Sequence, residues 1–364
     1  MNTYAIPMIP GPVRVPPEIL QAMMVDFGSG DLEREFLDLY NRTEANLQTI
    51  YGTKNAVAIM TGEGMLALWS GLKSVLLPGD RVLAVGTGVF GYGIGDMARA
   101  VGAEVKTAGL HYDETLGDLT VIEEEIKSFR PKMITAVHCE TPSGTLNPLA
   151  GLGMLKQKYE VPLFYVDAVA SAGGTAVLSD EWSIDLSLGA SQKALSAPPL
   201  AAFLSVSPRA WEIAEQVDYA GYDALLPYRD AQKYFYFPYT PHWHGLAALY
   251  AATQMLLDEG LENAFARHAQ AAEVCRSRIE KMGLRLFPAP EAISSPTVTA
   301  VYIPEGTTWE EFDQRLRVHG LAVGNSYGPL AGKIFRIGHM GSQADLILVN
   351  QALDIIETVI HDLR

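Results

Sequence analysis

Two polar side chains lie at the ends of apolar runs near the middle of the chain, where their types could support chemistry. Asp167 ends the apolar part of "PLFYVDAVASAGG" (residues 162–174), and Lys193 lies in "IDLSLGASQKALSAPP" (residues 184–199). A carboxylate at the C-terminal end of a parallel strand faces the ligand crevice of an open α/β sheet. A lysine amine among small and apolar neighbours loses its proton readily and attacks carbonyl groups. Taken singly, each has a commoner interpretation, an Asp that caps a turn and a lysine whose stem covers apolar surface.

Together, the two residues indicate a more specific chemistry. A lysine that forms a Schiff base, with a carboxylate that keeps a pyridine nitrogen protonated, suits a pyridoxal ring used as an electron sink. Such a ring also needs a flat partner. Phe90, in "VGTGVFGYGIGD", follows a predicted strand and opens a predicted helix, so we expect it either to stack on the ring or to be a core aromatic.

The stretch "MTGEGM" (residues 60–65) predicts a strand, a tight turn and the start of a helix. A helix start of this kind presents free N–H groups and a positive dipole end, which commonly hold a phosphate. Its central residue is Glu63, followed by Gly64 and Met65. A carboxylate close to a phosphate dianion costs several kcal/mol at an effective dielectric constant of about 20, and Met65 offers no side-chain donor. Glu63 is therefore either an acidic residue in the first turn of the helix or a contact for an uncharged group.

Composition limits the kinds of protein that could carry these residues. The chain has 364 residues, of which 48% are hydrophobic and 19% charged, with a net charge of −15. A large core is expected, and nucleic-acid binding is not, because no basic stripe is visible. No signal peptide or membrane span is indicated, and Cys139 and Cys275 are too few for a disulfide framework, so a cytoplasmic protein is expected.

Short apolar runs alternate with amphipathic ones through the first two thirds of the chain. The predicted strands are 56–60, 81–85, 104–107, 133–138, 163–166, 186–188 and 201–206, and helices such as 66–76, 91–101 and 149–159 lie between them. This alternation is typical of a mainly parallel α/β sheet. After "YFYFPYTPHWHG", two long helices (246–259 and 261–282) are predicted, then strands at 297–303 and 333–337 and helices at 309–319 and 344–363. We expect a large α/β domain at 16–250 and a smaller α+β domain built from 1–15 and 251–364.

The chain resembles the class V branch of the fold-type I aminotransferases. The resemblance is carried by "PGPVRVPPEIL", "LLPGDRVLAVGTGVFG", "TPSGTLNPL", "VDAVAS", "SQK" and "FRIGHMG", which together span nearly the whole sequence. It implies a large domain with a mainly parallel seven-stranded sheet plus a smaller α+β domain. The roles that it implies are Lys193 as the Schiff-base lysine, Asp167 as the pyridinium partner, Phe90 as the stacking residue, Thr141 beside the ring hydroxyl and Arg336 as the clamp for a substrate carboxylate. It also implies a homodimer or homotetramer, in which Thr240 reaches the partner's site.

Within this family the chain looks most like the pyridoxamine–pyruvate transaminases, which bind unphosphorylated vitamin B6 as a substrate. The features that carry this likeness are the "GE" turn, "ETPSGTLNP", "FPYTP", "SPTVTAV" and "GKIFRIGHMG". Relatives that bind pyridoxal 5′-phosphate have a hydroxyl residue in place of Glu63, a hydroxyl or His in place of Met65, and Tyr in place of Phe237. Gln192, in contrast, also occurs in the relatives that bind the phosphate, so this residue favours phosphate binding. Tyr327 replaces a second arginine, so the keto-acid site is expected to differ from that of the pyridoxamine–pyruvate transaminases.

The expected reaction is transfer of an amino group from pyridoxamine to pyruvate, giving pyridoxal and L-alanine through Lys193. The alternative is a pyridoxal-phosphate-dependent aminotransferase of the alanine–glyoxylate or serine–pyruvate type. A weaker alternative is a dinucleotide-binding oxidoreductase, because "GTGVFG" (residues 86–91) matches G-x-G-x-x-G. His242 and His244 are interpreted as loop residues, since no further ligand pattern completes a metal site, and no metal is expected.

Overall fold

The computed structural model describes residues 4–363. Its larger sheet has seven strands: β2 (Ala56–Thr61), β3 (Arg81–Gly86), β4 (Glu104–Gly109), β5 (Met133–Val137), β8 (Leu163–Asp167), β9 (Leu186–Ala190) and β10 (Ala201–Val206). The order across the sheet is β2-β10-β9-β8-β5-β3-β4. The pairs β3–β4, β3–β5, β5–β8 and β8–β9 are parallel, whereas β10 runs antiparallel to both β2 and β9. Six strands therefore point the same way, and their C-terminal ends meet at one edge.

All seven strands predicted in the first two thirds of the chain are present, with ends that differ by no more than two residues. Every residue of β5, β9 and β10 is buried, so both faces of the sheet are covered there. This double burial is why the strands appear as continuous apolar runs rather than as alternating ones. The predicted fold-type I α/β architecture is confirmed.

The helices that surround the two sheets follow most of the predicted amphipathic segments. They are α1 (Pro17–Ala22), α2 (Arg34–Ile50), α3 (Gly64–Val75), α4 (Val89–Ala100), α5 (Thr120–Phe129), α6 (Ala150–Lys158), α7 (Pro208–Val217), α8 (Ala231–Tyr234), α9 (Trp243–Glu259), α10 (Leu261–Lys281), α11 (Trp309–Val318) and α12 (Leu346–Leu363). Within residues 4–363, none of these helices combines the length and apolar character needed to cross a lipid bilayer.

A smaller sheet joins the two ends of the chain. It contains β1 (Ile6–Met8), β11 (Val298–Tyr302), β12 (Leu321–Asn325) and β13 (Ile334–Gly338), in the order β1-β12-β13-β11. Its core includes Met8, Phe312 and Phe335, and α10, α11 and α12 pack against it. Parallel pairing of β1 with β12 ties the N-terminal segment to this sheet.

The predicted division into domains stays a prediction. Its boundary at residue 250 falls inside α9, which packs on α2 and also contacts α10. The segment 1–15 does join the smaller sheet through β1, although residues 1–3 lie outside the described part of the chain. A short hairpin, β6 (Cys139–Glu140) with β7 (Thr145–Leu146), follows β5, and Thr145 forms an isolated bridge with Ser294.

Candidate active site

A cavity of about 270 Å³ opens at the C-terminal edge of the larger sheet. Ligand sites of open α/β sheets occur at this edge, and the volume suits a small aromatic ligand. Eight of the predicted site residues line it, namely Glu63, Gly64, Met65, Phe90, Thr141, Asp167, Gln192 and Lys193. They come from the loops after β2, β3, β5, β8 and β9, so the topology of the sheet brings together residues that are far apart in the sequence.

Lys193 lies in a closely tied loop between β9 and β10. Ser191 Oγ donates to the carbonyl of Pro198 at 2.5 Å and accepts the N–H of Ala201 at 3.2 Å, which closes the loop. The Lys193 amine donates to the carbonyl of Pro10 at 2.6 Å. Burial and, to a smaller extent, the nearby positive charge of Arg336 together lower the pKa of Lys193 to about 8. The amine is therefore much closer to its neutral, reactive form at physiological pH than an exposed lysine is.

Asp167 is the last residue of β8, as the sequence predicts. Its Oδ1 accepts the N–H of Val169 at 2.9 Å, which orients the carboxyl group at the cavity wall. Burial raises the pKa of Asp167 to about 6, while the Val169 N–H and the charge of Lys193 act in the opposite direction. The carboxylate is thus available at neutral pH to pair with a protonated ring nitrogen.

Phe90 is in the first turn of α4, where it borders the cavity. The backbone N–H groups of Phe90 and Gly91 donate to the two carboxylate oxygens of Glu140, at 3.1 and 2.7 Å. Gly88, the residue before the helix, has no side chain to cap it, and a Cβ there would lie 2.7 Å from Glu140 Oε2. Burial raises the pKa of Glu140 to about 8, while these two N–H groups lower it. Glu140 thus supplies the cap of α4 from a different part of the chain.

Arg336 lies in β13, just outside the residues that line the cavity, and is almost fully buried. Its Nε donates to the carbonyl of Asn325 at 2.7 Å, and its Nη1 lies 3.4 Å from the carbonyl of Thr141. The ring of Tyr327 lies against the guanidinium, with 4.7 Å between Cζ and the ring centre. Since these carbonyls use only part of its five donors, Arg336 keeps N–H groups for a substrate carboxylate.

The carboxylate of Glu63 lies at the N-terminus of α3. Its Oε1 accepts the backbone N–H of Met65 at 3.0 Å, and its Oε2 accepts Nε2 of Gln192 at 3.2 Å. Glu63 is therefore the N-cap of α3, and its negative charge lies where the helix dipole favours an anion. The donors that could hold a phosphate at this turn are directed at a carboxylate instead.

Thr240 and Phe237 lie away from this cavity. Thr240 is exposed, and its hydroxyl donates to Asp31 Oδ2 at 3.3 Å. Phe237 is buried in the same subunit against Phe36 and Tyr40, with ring centres 5.3 Å apart in both pairs. Phe237 is therefore a core residue, and Thr240 has no contact with the cavity of its own chain.

The "GTGVFG" loop does not form the dinucleotide site that was the weaker alternative. The N–H groups of Phe90 and Gly91, which a pyrophosphate would need, already bind the carboxylate of Glu140. His242 caps α9, since its Nδ1 accepts the N–H of Gly245 at 2.6 Å. Within residues 4–363 no group of three or more His, Cys, Asp or Glu side chains is placed to hold a metal ion.

Three contributors to the site were not predicted from the sequence. Glu140 holds α4, Cys139 lines the cavity, and the segment Pro10–Pro12 covers Lys193. Burial raises the pKa of the Cys139 thiol to about 11. Cys139 therefore contributes a neutral thiol to the wall of the cavity and does not act as a nucleophile. An acidic residue in an apolar run with no basic residue near it in sequence is the signal that could have identified Glu140.

Comparison with known proteins assigns the family. The model of the class-V aminotransferases matches residues 16–334. The chain belongs to the class-V aminotransferases. This family consists of pyridoxal-phosphate-type enzymes, and the dinucleotide-binding alternative is therefore wrong.

Several kinds of aminotransferase are similar to this class-V member. The (S)-ureidoglycine–glyoxylate transaminase of Bacillus subtilis is 36% identical over 92% of this chain and 85% of its own length. The alanine–glyoxylate aminotransferase of Callithrix jacchus is 32% identical over 94% of this chain and 85% of its own. The crystal structure of pyridoxamine–pyruvate aminotransferase from Mesorhizobium loti has a TM-score of 0.94 at 29% identity, covering 100% of this chain and 93% of the other. These values place the chain in the family without choosing among the substrates.

The lining of the cavity of this class-V aminotransferase suits the ring of a B6 compound, and the end of the cavity at α3 carries a carboxylate. Lys193, Asp167 and Phe90 offer an amine, a carboxylate and a flat face around one small cavity. At the N-terminus of α3, however, the Met65 N–H and the Gln192 amide bind Glu63. A phosphate there would meet a like charge instead of free donors.

Proposed function

We propose that this protein transfers an amino group between pyridoxamine and pyruvate, giving pyridoxal and L-alanine, and that it binds vitamin B6 without phosphate as a substrate. The observation that carries this proposal is the position of Glu63. Its carboxylate lies at the N-terminus of α3, 3.0 Å from the N–H of Met65 and 3.2 Å from the Gln192 amide. Repulsion of a dianion at this point disfavours the phosphorylated vitamin and leaves the alcohol form as the ligand.

In this proposal, three residues hold the two substrates. Asp167 keeps a proton on the ring nitrogen, and Phe90 lies against the ring face at the start of α4. Arg336 binds the carboxylate of the keto acid or amino acid with the N–H groups that Asn325 and Thr141 leave free. The B6 ring itself supplies an electron sink for the charge that develops when the proton moves.

Lys193 performs the proton transfer. After the amine of pyridoxamine has condensed with the keto group of pyruvate and released water, the neutral Lys193 amine takes a proton from the B6 carbon bonded to the shared nitrogen and gives it to the former keto carbon bonded to the same nitrogen. Water then cleaves the new C=N bond, which releases pyridoxal and L-alanine. The pKa of about 8 suits both directions of this proton transfer near neutral pH. The Pro10 carbonyl, 2.6 Å from Nζ, holds the protonated amine between the two steps.

The deciding experiment measures transfer to pyruvate from pyridoxamine and from pyridoxamine 5′-phosphate. We expect the unphosphorylated form to have the higher kcat/KM, and protein purified without added B6 to be colourless and to turn yellow with pyridoxal. Glu63→Ser keeps a capping hydroxyl at the start of α3 but removes the charge. It is expected to shift the preference toward the phosphorylated form about tenfold or more, whereas Glu305→Ser, at an exposed loop position, leaves the preference unchanged.

A second candidate is a pyridoxal-phosphate-dependent aminotransferase of the alanine–glyoxylate type. It is supported by the similarity to the alanine–glyoxylate aminotransferase of Callithrix jacchus and by the presence of the Gln192 amide at the α3 end of the cavity. Faster transfer from the phosphorylated amine by the native protein would establish this candidate in place of the first.

We also propose that the protein works as a homodimer or homotetramer in which Thr240 reaches the neighbouring subunit. The support is that Thr240 is exposed and lies outside the cavity of its own chain. Light scattering of the purified protein tests this, and a monomer with full activity would contradict it.

A further inference from the structure

Both ends of the segment that covers Lys193 are fastened by one buried side chain. Gln343 is fully buried, its Nε2 donates to the carbonyl of Ile9 at 2.9 Å, and its Oε1 accepts the backbone N–H of Arg14 at 2.9 Å. Ile9 and Arg14 lie on either side of residues 10–12, the covering segment whose first carbonyl accepts the Lys193 amine. A single side chain from the connection between β13 and α12 therefore closes the base of the covering segment.

The covering segment has few donors with which to anchor itself. Proline has no backbone N–H, so Pro10 and Pro12 leave Gly11 as the only residue of the segment that can donate from the main chain. The Gly11 N–H donates to the carbonyl of Ile9 at 2.8 Å, which is a local contact. The position of the segment therefore depends on the contacts of the residues that flank it.

The surroundings of Gln343 fix the orientation of its amide. The carbonyls of Ile9 and Gly338 only accept hydrogen bonds, and Nε2 lies 2.9 and 2.6 Å from them, so the NH₂ group must face these two oxygens. The N–H of Arg14 only donates, so it must face Oε1. Glutamine makes all three bonds at once, whereas a methionine side chain of similar length makes none of them.

The covering segment is held on two sides. Next to Lys193, the N–H of Val13 donates to the carbonyl of Gln192 at 3.1 Å. On the opposite side Pro10 lies directly on β13, since a Cβ at Gly338 would be 2.5 Å from the Cα of Pro10. Gln343 binds the Gly338 carbonyl as well as the two flanks of the segment, so it ties the Pro10 carbonyl to a strand that is itself fully buried.

Resting on the proposed function, in which Lys193 moves the proton, we propose that Gln343 is a positioning residue for this step. It fixes the covering segment so that the Pro10 carbonyl holds the Lys193 amine within reach of both carbon atoms between which the proton moves. Gln343 is not among the residues that line the cavity, so it acts through Pro10 and Lys193 and not by contact with a substrate. Its loss should therefore slow the proton transfer and leave the affinity for both substrates unchanged.

The test measures kcat, both KM values and the deuterium isotope effect on kcat, with pyridoxamine deuterated at the carbon that carries the amino group. Gln343→Met is expected to lower kcat about tenfold and to keep both KM values within about twofold of the native ones. The isotope effect should be no smaller than the native one, because the slowed step is the proton transfer. Gln351→Met, at an exposed position of α12, is the matched control and keeps the native kcat.

A second variant decides the question if Gln343→Met does not fold. The hydroxyl of Ser342 donates to the carbonyl of Arg14, and Ser342 is only partly buried, so Ser342→Ala removes one bond to the same flank at little cost to the fold. It is expected to lower kcat about threefold in the same pattern, as the loss of one hydrogen bond would. Native kcat in Ser342→Ala would then overturn the inference.

Three results with a folded Gln343→Met protein would overturn the inference. These are a native kcat, a raised KM with native kcat, and an isotope effect smaller than the native one, since each shows that the proton transfer is not the step that Gln343 supports. The measurements use whichever of pyridoxamine and its phosphate the native protein turns over faster. A native preference for the phosphate therefore overturns the proposed function while the role of Gln343 is still decided by its own variants.

Discussion

Glu140 accepts the backbone N–H of Phe90 at 3.1 Å and thereby fixes the start of α4 beside the cavity. Its other oxygen accepts the N–H of Gly91, so both carboxylate oxygens are used. Above pH 8, where Glu140 is largely ionised, it has two acceptor oxygens where glutamine has one, and Glu140→Gln therefore leaves one of these buried N–H groups without a partner at that pH. We expect pyridoxal binding, measured by absorbance titration, to weaken about tenfold because Phe90 is no longer held in place. Unchanged affinity in a folded Glu140→Gln protein would contradict this role.

The pKa of Lys193 determines how reactivity depends on pH. Because the neutral amine is the reactive form, reaction with pyridoxal should increase as pH rises, with a midpoint near 8 rather than near the ordinary value of 10.5. Arg336→Met removes a positive charge that lowers this pKa, so the midpoint should move to higher pH. Arg336→Lys keeps the charge and should leave the midpoint near 8. The measurement is the initial rate of colour formation with pyridoxal between pH 6 and 10, and an identical midpoint in the Met and Lys variants would exclude the charge effect.

Gly11 leaves no room for a side chain next to Lys193. Its φ is +89°, and a Cβ there would lie 2.7 Å from Lys193 Nζ. Gly11→Ala should therefore displace the amine and reduce transfer about 100-fold or more. Gly79→Ala is the matched control, since Gly79 has a φ of +86° and open space around the missing Cβ. It carries only the backbone cost of about 1 kcal/mol and should keep full activity. Equal activities of the two variants would show that the contact with Lys193 is unimportant.

Arg336 and Tyr327 should govern affinity for the keto acid. Arg336→Lys loses the planar fork and the bonds to Asn325 and Thr141, so KM for pyruvate should rise about 10- to 100-fold while pyridoxal binding is kept. Tyr327→Leu removes the ring that lies 4.7 Å from the guanidinium carbon and should raise KM a few-fold. Tyr327→Phe keeps the ring and should have the smaller effect of the two. Steady-state kinetics with saturating pyridoxamine and varied pyruvate distinguish these outcomes. A raised KM for pyridoxamine instead, measured with saturating pyruvate, would place Arg336 at the B6 substrate and contradict this role.

The parts of the fold that are local in sequence could be predicted, and the parts that depend on distant contacts could not. The strand that ends in Asp167 is an uninterrupted apolar run, so both its position and the direction of Asp167 follow from sequence. β1 was missed because it has only three residues and is defined by pairing with β12, which lies far away in the sequence. β12, with five residues, was missed too, and it is defined by pairing with β1 and β13. Glu140 was missed for a similar reason, since its partners Phe90 and Gly91 lie about fifty residues earlier.

The candidate site shows the same division. Lys193 stands in a recognisable motif, but the causes of its lowered pKa lie elsewhere, in burial under the N-terminal segment and in the charge of Arg336. The unusual residue Glu63 was evident from the sequence. Its partner was not, because the loops after β2 and β9 meet only when β10 is placed between those strands.

Pairing of β1 with β12 has a consequence for the order in which the protein is completed on the ribosome. The segment 10–12 is synthesised before Lys193, yet it is anchored by a strand, Leu321–Asn325, that is synthesised after Lys193. Lys193 therefore acquires its covering carbonyl only after Leu321–Asn325 has been synthesised, and a nascent chain that ends before this strand has the lysine without the burial that lowers its pKa.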